Sequence, residues 1–304
     1  MIDLSIIVPA YNEEENISFS ASEIHNALRD VEFTYEIIFV DDGSSDRTWE
    51  EMEKVKERFK SIIITKHGRN RGKTDALLTG FRLSRGQAIL LFDVDLQYNS
   101  DDIKRLYNKM GKGYDIVSGW KQGSYSKQFV SSIYNYLSRK LFNLPIHDQN
   151  SIKIFRREVL RKIHLRKDWH RFLIALAVDK GFTVSEIKVT LRPRKFGKTK
   201  YGGKGRILIG IFDLLSVKFQ ITFLKKPMLL FGITGSVFII LGVITGFVSL
   251  FLRYVLHHGF RPLLYLVILF VLSGLLLLAM GFLGETLASI NERISGIERE
   301  IKDK

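Results

Sequence analysis

Two carboxylates and an amide follow a short apolar run near the middle of the chain. Asp93, Asp95 and Gln97 come directly after Ile-Leu-Leu-Phe at residues 89–92, a run too short for a typical helix that indicates a buried strand. Side chains alternate faces along a strand, so the three groups would share one side if the chain stays extended. Together with substrate phosphates, such oxygen donors suit Mg²⁺ or Mn²⁺. The spacing predicts a metal site, and the alternative is a solvated acidic turn.

Polar clusters also end other predicted strands. Tyr-Asn-Glu at residues 11–13 follows a strand at residues 4–8. Asp-Asp-Gly-Ser at residues 41–44 follows a strand that begins at Tyr35. In parallel sheets ligands bind beyond the carboxyl ends of the strands, so these clusters should converge on one crevice. Each cluster alone could be an ordinary turn, because turns favour Asp, Asn and Gly.

Strands alternating with helices must position these groups. This alternation predicts an α/β fold, with a mostly parallel, Rossmann-like sheet covered by helices on both faces. The predicted strands are residues 4–8, 35–40, 62–64, 88–92, 115–119 and 183–190. The predicted helices are residues 14–28, 48–59, 73–83, 100–110 and 169–180, with a helix-like stretch between residues 119 and 144 and a basic amphipathic stretch up to residue 166.

Composition narrows the chemistry. The chain has no cysteine, which excludes disulfides and thiolate zinc sites, and its seven histidines show no His-x-x-x-His spacing. Any metal should therefore be held by oxygen atoms. Net charge is +14, and residues 192–226 hold ten basic side chains against one acid. A basic segment just before long apolar stretches is typical of a juxtamembrane region that faces anionic headgroups. No nucleic-acid recognition signature accompanies these charges, so we expect no nucleic-acid partner.

The last third of the chain predicts a membrane anchor. Residues 228–252 and 263–283 carry no charge and exceed the roughly 20 residues that span a bilayer. They predict a transmembrane hairpin within residues 227–284. Residues 206–226 predict an amphipathic helix at the membrane interface, with a core helix as the alternative. The basic segment predicts that the catalytic domain, residues 1–205, and both termini are cytoplasmic.

The polar tail, residues 285–304, predicts one more amphipathic helix. Its apolar residues alternate steps of three and four: Leu287, Ile290, Ile294, Ile297 and Ile301. This seam could pair protomers in a homo-oligomer or lie along the catalytic domain.

Taken together, the motifs resemble the GT-A-fold family 2 glycosyltransferases, and within them the membrane-bound polyprenyl-phosphate glycosyltransferases. The matching runs are residues 6–13, residues 40–44 with Asp46 and Thr48, and residues 70–73, 93–97, 147–150, 170–172 and 194–201. One departure is the run Asp-Gln-Asn-Ser-Ile-Lys at residues 148–153, which lacks the glycine that many relatives have after the aspartate.

The resemblance implies a role for each matching residue. Asp93, Asp95 and Gln97 would hold the metal, and Asp93, Asp95, Asp148 and Arg194 would be catalytic. The nucleotide would lie against Pro9, Tyr11, Asn12, Glu13, Asp41, Asp42 and Lys73. From their position just ahead of the predicted interfacial helix, we expect four basic residues to bind the acceptor phosphate: Arg192, Arg194, Lys198 and Lys200. We expect the sugar to be bordered by Trp120, Asn150 and His170.

The function implied is an inverting transfer of one sugar from a nucleotide diphosphate sugar to a polyprenyl or dolichyl phosphate at the cytoplasmic membrane face. A donor like UDP-glucose is favoured, with Mg²⁺ or Mn²⁺ as cofactor; a GDP-mannose-dependent synthase of dolichyl-phosphate mannose is the alternative. A processive polysaccharide synthase is disfavoured because no Gln-x-x-Arg-Trp motif is found. An inactive membrane scaffold is disfavoured by the intact Asp93, Asp95 and Gln97.

Overall fold

The computed structural model of the protein describes residues 2–123, 128–194, 205–222, 226–257, 259 and 261–302. The chain divides into two compact units, Met1–Gly210 and Ile211–Lys304. The strands described are β1 (Leu4–Ala10), β2 (Tyr35–Asp41), β3 (Ile62–Lys66), β4 (Ala88–Leu91), β5 (Ile116–Gln122), β6 (Lys153–Arg156) and β7 (Val184–Thr190). The helices described are α1 (Glu14–Ala27), α2 (Thr48–Arg58), α3 (Lys73–Leu83), α4 (Asp102–Met110), α5 (Gln128–Phe142), α6 (Arg157–Lys162), a 3-10 turn (Trp169–Phe172), α7 (Leu173–Asp179), α8 (Gly205–Thr222), α9 (Pro227–Tyr254) and α10 (Arg261–Lys302).

The first unit is built on one mixed sheet with the strand order β3-β2-β1-β4-β6-β5-β7. The pairs β1–β2, β1–β4, β2–β3 and β5–β7 are parallel, and β6 runs antiparallel to both of its neighbours. Ile6, Ile7 and Val8 are all fully buried although they face alternate sides, as expected of a central strand covered by helices on both faces. The predicted α/β fold with a mostly parallel sheet is confirmed.

Two local predictions were wrong. No strand was predicted at β6, because its four residues include Lys153 and Arg156 and give no strand-like alternation. Strand β5 continues to Gln122 and places Trp120 and Lys121 in the sheet, although the predicted strand ended at residue 119. Pairing with β7 stabilises this extension, because Trp120 lies opposite Lys188.

The second unit contains two long helices that are mostly exposed and apolar. Helix α9 has 28 residues, and α10 has an apolar part of 30 residues, Arg261–Ile290, so each is long and apolar enough to cross a membrane. They pack as a hairpin through glycines: a Cβ added to Gly235 would lie 2.7 Å from the carbonyl oxygen of Gly274. Helix α10 runs without a break from the second apolar segment into the polar tail.

Candidate active site

The ends of β1, β2 and β4 lie side by side at one edge of the sheet. The backbone N–H of Asp42 donates to the carbonyl oxygen of Ala10 at 2.8 Å, and the N–H of Phe92 donates to that of Ile7 at 3.0 Å. These bonds carry the parallel pairing beyond the strands and bring the loops together, because parallel strands end at the same edge. The polar clusters that follow these strands therefore start from neighbouring points of the sheet.

Asp93 and Asp95 lie in a turn, since β4 already ends at Leu91. Leu96 has a φ of 58°, a left-handed conformation, so this segment is not the extended strand on which the shared side was predicted. Gln97 takes part through its backbone: its N–H donates to Asp95 Oδ1 at 3.3 Å, and its carbonyl oxygen accepts from the Arg192 N–H at 2.8 Å. The turn, rather than strand alternation, sets the relation between Asp95 and Gln97.

The two carboxylates differ in their proton affinity. Burial raises the pKa of Asp95 to about 6, assisted by the neighbouring negative charge of Asp93. Burial also raises the pKa of Asp93, but the positive charge of Lys73 outweighs burial, with smaller contributions from Lys153 and Lys121. The pKa of Asp93 therefore lies below its usual value. Asp93 is therefore the carboxylate that stays ionised under neutral and mildly acidic conditions.

Two carboxylates that repel each other fit a divalent cation, which would relieve that repulsion. Within the described residues, no group of three or more His, Cys, Asp or Glu side chains is arranged to hold a metal ion. A cation here would therefore need further oxygens from an amide such as Gln97 and from a bound phosphate, which is how Mg²⁺ is usually held.

Lys73 reaches the Asp93 carboxylate from the first residue of α3. Its ammonium contacts Asp93 Oδ1. Asp42 holds the preceding loop: its carboxylate accepts from the backbone N–H groups of Arg71 at 2.9 Å and Gly72 at 2.8 Å. It also bonds His67 Nδ1 at 2.8 Å. These contacts make Asp42 a residue that positions the loop in front of Lys73.

The loop after β1 is tied to the chain that follows β7. Arg194 Nη2 donates to Glu13 Oε1 at 2.6 Å, and Asn16 Nδ2 donates to Glu13 Oε2, also at 2.6 Å. Arg192 forms an ion pair with Glu23 at 3.6 Å. Arg194, expected on the acceptor side, thus contacts a residue expected on the nucleotide side. Lys198 and Lys200 lie outside the described residues.

The other residues expected near the nucleotide surround the end of β2. Asp41 is fully buried, and its Oδ1 accepts from the Ser44 N–H at 2.8 Å. Its Oδ2 makes no hydrogen bond among the described residues, and Lys66 Nζ lies 3.7 Å away. Asn12 Oδ1 accepts from the Ser45 N–H at 2.8 Å. Tyr11 is 38% exposed, and Pro9 is half-buried in β1.

Asp148, Asn150 and Trp120 belong to a second polar cluster, next to a cavity. Lys121 Nζ lies 3.3 Å from Asp148 Oδ2 and donates to the Asn150 carbonyl oxygen at 3.2 Å. Trp120 stacks on His147 with 3.9 Å between ring centroids. The cavity has a volume of about 370 Å³ and is lined by Trp120, Lys121, Gln122, Gly123, Ser132, Asn135, Tyr136, Arg139, His147 and Asp148.

His170 lies under the start of α3. Its Nδ1 is 2.9 Å from the Thr74 hydroxyl oxygen. Burial, followed by the charges of Lys73 and Lys153, lowers the pKa of His170 well below its usual value, so the ring is neutral near pH 7. The described contacts of His170 support the α3 N-terminus; its predicted place beside the sugar remains a prediction.

Sequence reasoning missed Lys153, a buried lysine on β6. Its side chain is 2% exposed, and Nζ donates to the Gln149 carbonyl oxygen at 2.9 Å. Burial lowers the pKa of Lys153 to about 7, assisted by Lys73 and opposed by Asp148 and Asp93. A lysine flanked by Ile152, Ile154 and Phe155 was the available signal, but it could be read only once the segment was known to be a central strand.

Comparison with known proteins places this chain in a family. The model of the family described as "Glycosyl transferase family 2" matches residues 5–164, so the chain belongs to that family. The resemblance to its polyprenyl-phosphate group is confirmed by relatives similar over nearly the whole chain. A dodecaprenyl-phosphate galacturonate synthase of Rhizobium johnstonii is 30% identical over 94% of this chain and 88% of its own. An undecaprenyl-phosphate 4-deoxy-4-formamido-L-arabinose transferase of Pseudomonas aeruginosa is 29% identical over 94% and 85%.

The fold has solved counterparts. A glucosyl-3-phosphoglycerate synthase from Mycobacterium tuberculosis, in complex with Mn²⁺, UDP and glucosyl-3-phosphoglycerate, has a TM-score of 0.55 and 16% identity. The match covers 72% of this chain and 80% of that one. At this identity the likeness concerns the fold alone, and it agrees with the GT-A fold expected from the motifs.

Proposed function

We propose that the protein is a divalent-cation-dependent, inverting glycosyltransferase that moves one sugar from a nucleotide diphosphate sugar to a polyprenyl phosphate. The observation that carries the proposal is the group of Asp93, Asp95 and Lys73 at the carboxyl edge of the sheet. Two carboxylates and a cation at this edge suit a metal-bound diphosphate, which needs both metal ligands and positive charge. The names of the two relatives above support a polyprenyl phosphate as acceptor.

The donor would lie along the ends of β1, β2 and β4. Asp93, Asp95 and Gln97 would hold the cation, which would neutralise charge on the departing diphosphate. Asp41 offers a buried oxygen without a hydrogen bond among the described residues, suited to an N–H or O–H of the base or ribose. Tyr11, Asn12 and Glu13 would border the same nucleotide, with Pro9 in the strand behind them.

The acceptor phosphate needs positively charged side chains to bind it more than it needs a general base. A phosphate monoester is already ionised near pH 7, so its oxygen can attack the anomeric carbon without losing a proton to the protein. Arg192 and Arg194, with Lys198 and Lys200, are the proposed partners of that phosphate. Asp148 and Asn150, beside Lys121 and Trp120, would border the transferred sugar at the cavity. His170 would border it from the α3 side.

The donor is proposed to resemble UDP-glucose, with GDP-mannose as the alternative. The structural counterpart in complex with UDP and Mn²⁺ shares this fold, and it supports a uridine nucleotide and a divalent cation as the proposed ligands. A panel of radiolabelled nucleotide sugars with one short polyprenyl phosphate tests the proposal. Label should enter the lipid with one donor and stop at one sugar per lipid. Longer glycan chains would favour a processive synthase, and no turnover with any donor would favour an inactive scaffold.

Helices α9 and α10 are proposed to anchor the protein, with the catalytic unit and both termini on the cytoplasmic side. The chain has no cysteine, so single cysteines introduced at exposed positions report topology cleanly. Cysteines replacing Lys54 in α2 and Ile297 in α10 should both react with an impermeant maleimide from the cytoplasmic side only. Labelling of the two from opposite sides would contradict the hairpin. Crosslinking between chains at Ile297 would test the proposed homo-oligomer.

A further inference from the structure

Lys73 forms an ion pair with Asp93, one of the two carboxylates that the proposed cation needs. Its ammonium contacts Asp93 Oδ1, and the two side chains are 28% and 38% exposed. The pair is therefore accessible to solutes, yet it is shielded enough from water for its attraction to be felt. A divalent cation that binds Asp93 must share the carboxylate with an existing positive charge or displace it.

The backbone beneath Lys73 is fixed, whereas its side chain can swing. Asp42 bonds the N–H groups of Arg71 and Gly72, and Gly72 has a φ of 95° that favours glycine. Lys73 follows as the first residue of α3. The four-carbon stem of a lysine rotates freely enough to carry the ammonium several ångströms from a fixed Cα. Lys73 is thus anchored beside the site while its charge can change partner.

A diphosphate changes the balance of charges at this point. Without it, Asp93 and Asp95 supply two negative charges at most, and one is neutralised by Lys73. With it, the added negative charges can hold both a divalent cation and a lysine. The cation and the nucleotide should then strengthen each other's binding, and such coupling is reciprocal.

We propose that Lys73 is an internal competitor of the metal, which neutralises Asp93 in the free protein and moves to the donor diphosphate when cation and donor bind. The inference rests on the proposed function and deepens it, since it makes binding of the cation depend on binding of the donor. The cation binds weakly alone and tightly with the nucleotide. Lys73 then opposes metal binding in the free protein and binds the donor in the complex.

Two equilibrium measurements on the full-length protein in detergent test the proposal. Free Mn²⁺ is counted by electron paramagnetic resonance without nucleotide, and UDP binding, with GDP in parallel, is measured by calorimetry in saturating Mn²⁺. Lys73→Met should bind Mn²⁺ about fivefold tighter than the unsubstituted protein, the effect of removing one partly shielded charge pair. It should bind the nucleotide about tenfold more weakly, because a charge-assisted contact is lost. Lys73→Arg keeps the charge and should leave Mn²⁺ binding within about twofold.

In Lys73→Met, Mn²⁺ affinity should rise while nucleotide affinity falls. This separates the proposed role from a structural one, because damage to the start of α3 would weaken the binding of both ligands. Lys54→Met, which removes an equal charge from an exposed ion pair on α2, should change neither affinity. Mn²⁺ binding by Lys73→Met that equals or falls below that of the unsubstituted protein would overturn the inference. If neither the unsubstituted protein nor Lys73→Met binds Mn²⁺, or if Asp95→Asn binds it as well as the unsubstituted protein does, the proposed metal site itself fails.

Discussion

Lys153 is the residue whose replacement tests the electrostatics of the site most quantitatively. A lysine pKa of about 7 in the fold, against 10.5 for the free side chain, means that the unfolded chain binds the proton more tightly. Each pKa unit corresponds to about 1.4 kcal/mol, so burying this group costs the fold about 5 kcal/mol below pH 7. The cost shrinks as pH rises toward the unfolded pKa, falling by about 3 kcal/mol between pH 6.5 and pH 9.5.

Lys153→Met removes that cost and with it the hydrogen bond to the Gln149 carbonyl oxygen, worth about 1 kcal/mol at either pH. The variant should therefore be more stable than the unsubstituted protein at pH 6.5, and its advantage should fall by about 3 kcal/mol at pH 9.5. For a unit of this size that is a change of about 6–12 °C in the difference between the two melting temperatures.

Intrinsic fluorescence during thermal unfolding measures this difference, because all three tryptophans, Trp49, Trp120 and Trp169, lie in the first unit. Lys54→Met is the matched control, since it removes the same side chain from an exposed position on α2. A melting-temperature difference between Lys153→Met and the unsubstituted protein that stays constant from pH 6.5 to 9.5 would refute the reasoning. It would mean that Lys153 is protonated in the fold as it is in water.

Three further substitutions test other parts of the site and the anchor. Arg194→Ala should raise the KM for the lipid phosphate about tenfold while the nucleotide Kd moves less; a change confined to the nucleotide Kd would place Arg194 on the donor side, where its contact with Glu13 lies. Asp42→Asn should loosen the loop before α3, because an amide cannot accept all the hydrogen bonds that this carboxylate accepts. The free energy of unfolding should fall by about 1–3 kcal/mol, and the KM for the donor should rise. An unchanged melting temperature and unchanged kinetics would contradict the positioning role of Asp42. Gly235→Leu should separate α9 from α10, since even a Cβ would lie 2.7 Å from the Gly274 carbonyl oxygen. A pair of cysteines replacing Gly246 and Val267 should then form a disulfide less readily than the same pair in a protein that keeps Gly235. Equal crosslinking in the two proteins would contradict the glycine contact.

Much of the fold could be predicted because the central strands carry uninterrupted apolar runs. Residues 37–40 and 88–92 allowed little but buried parallel strands, and the carboxylates after them had to meet at one edge. Strand β6 could not be predicted, because a lysine in a four-residue strand is tolerated only where Asp93 and Asp148 lie nearby, and those contacts are tertiary.

The detail of the site escaped prediction for a similar reason. Asp42 looked like its neighbour Asp41 in sequence, yet its oxygens bond the Arg71 and Gly72 N–H groups of a loop thirty residues away. The expectation that Asp95 and Gln97 share a strand face failed because the chain turns at Leu96, and no residue type there requires the left-handed conformation. Roles that depend on partners distant in sequence are visible only in the folded chain.

The transfer of radiolabelled sugar from the preferred nucleotide donor to a short polyprenyl phosphate, by the full-length protein and by Asp95→Asn in parallel, tests the central proposal most directly. With Mn²⁺ or Mg²⁺ present, the unsubstituted protein should place one sugar on each lipid, and the variant should lose transfer by at least about a hundredfold because the diphosphate loses its metal site. Full transfer by Asp95→Asn, or transfer that persists in excess chelator, would contradict a metal-dependent site at Asp93 and Asp95.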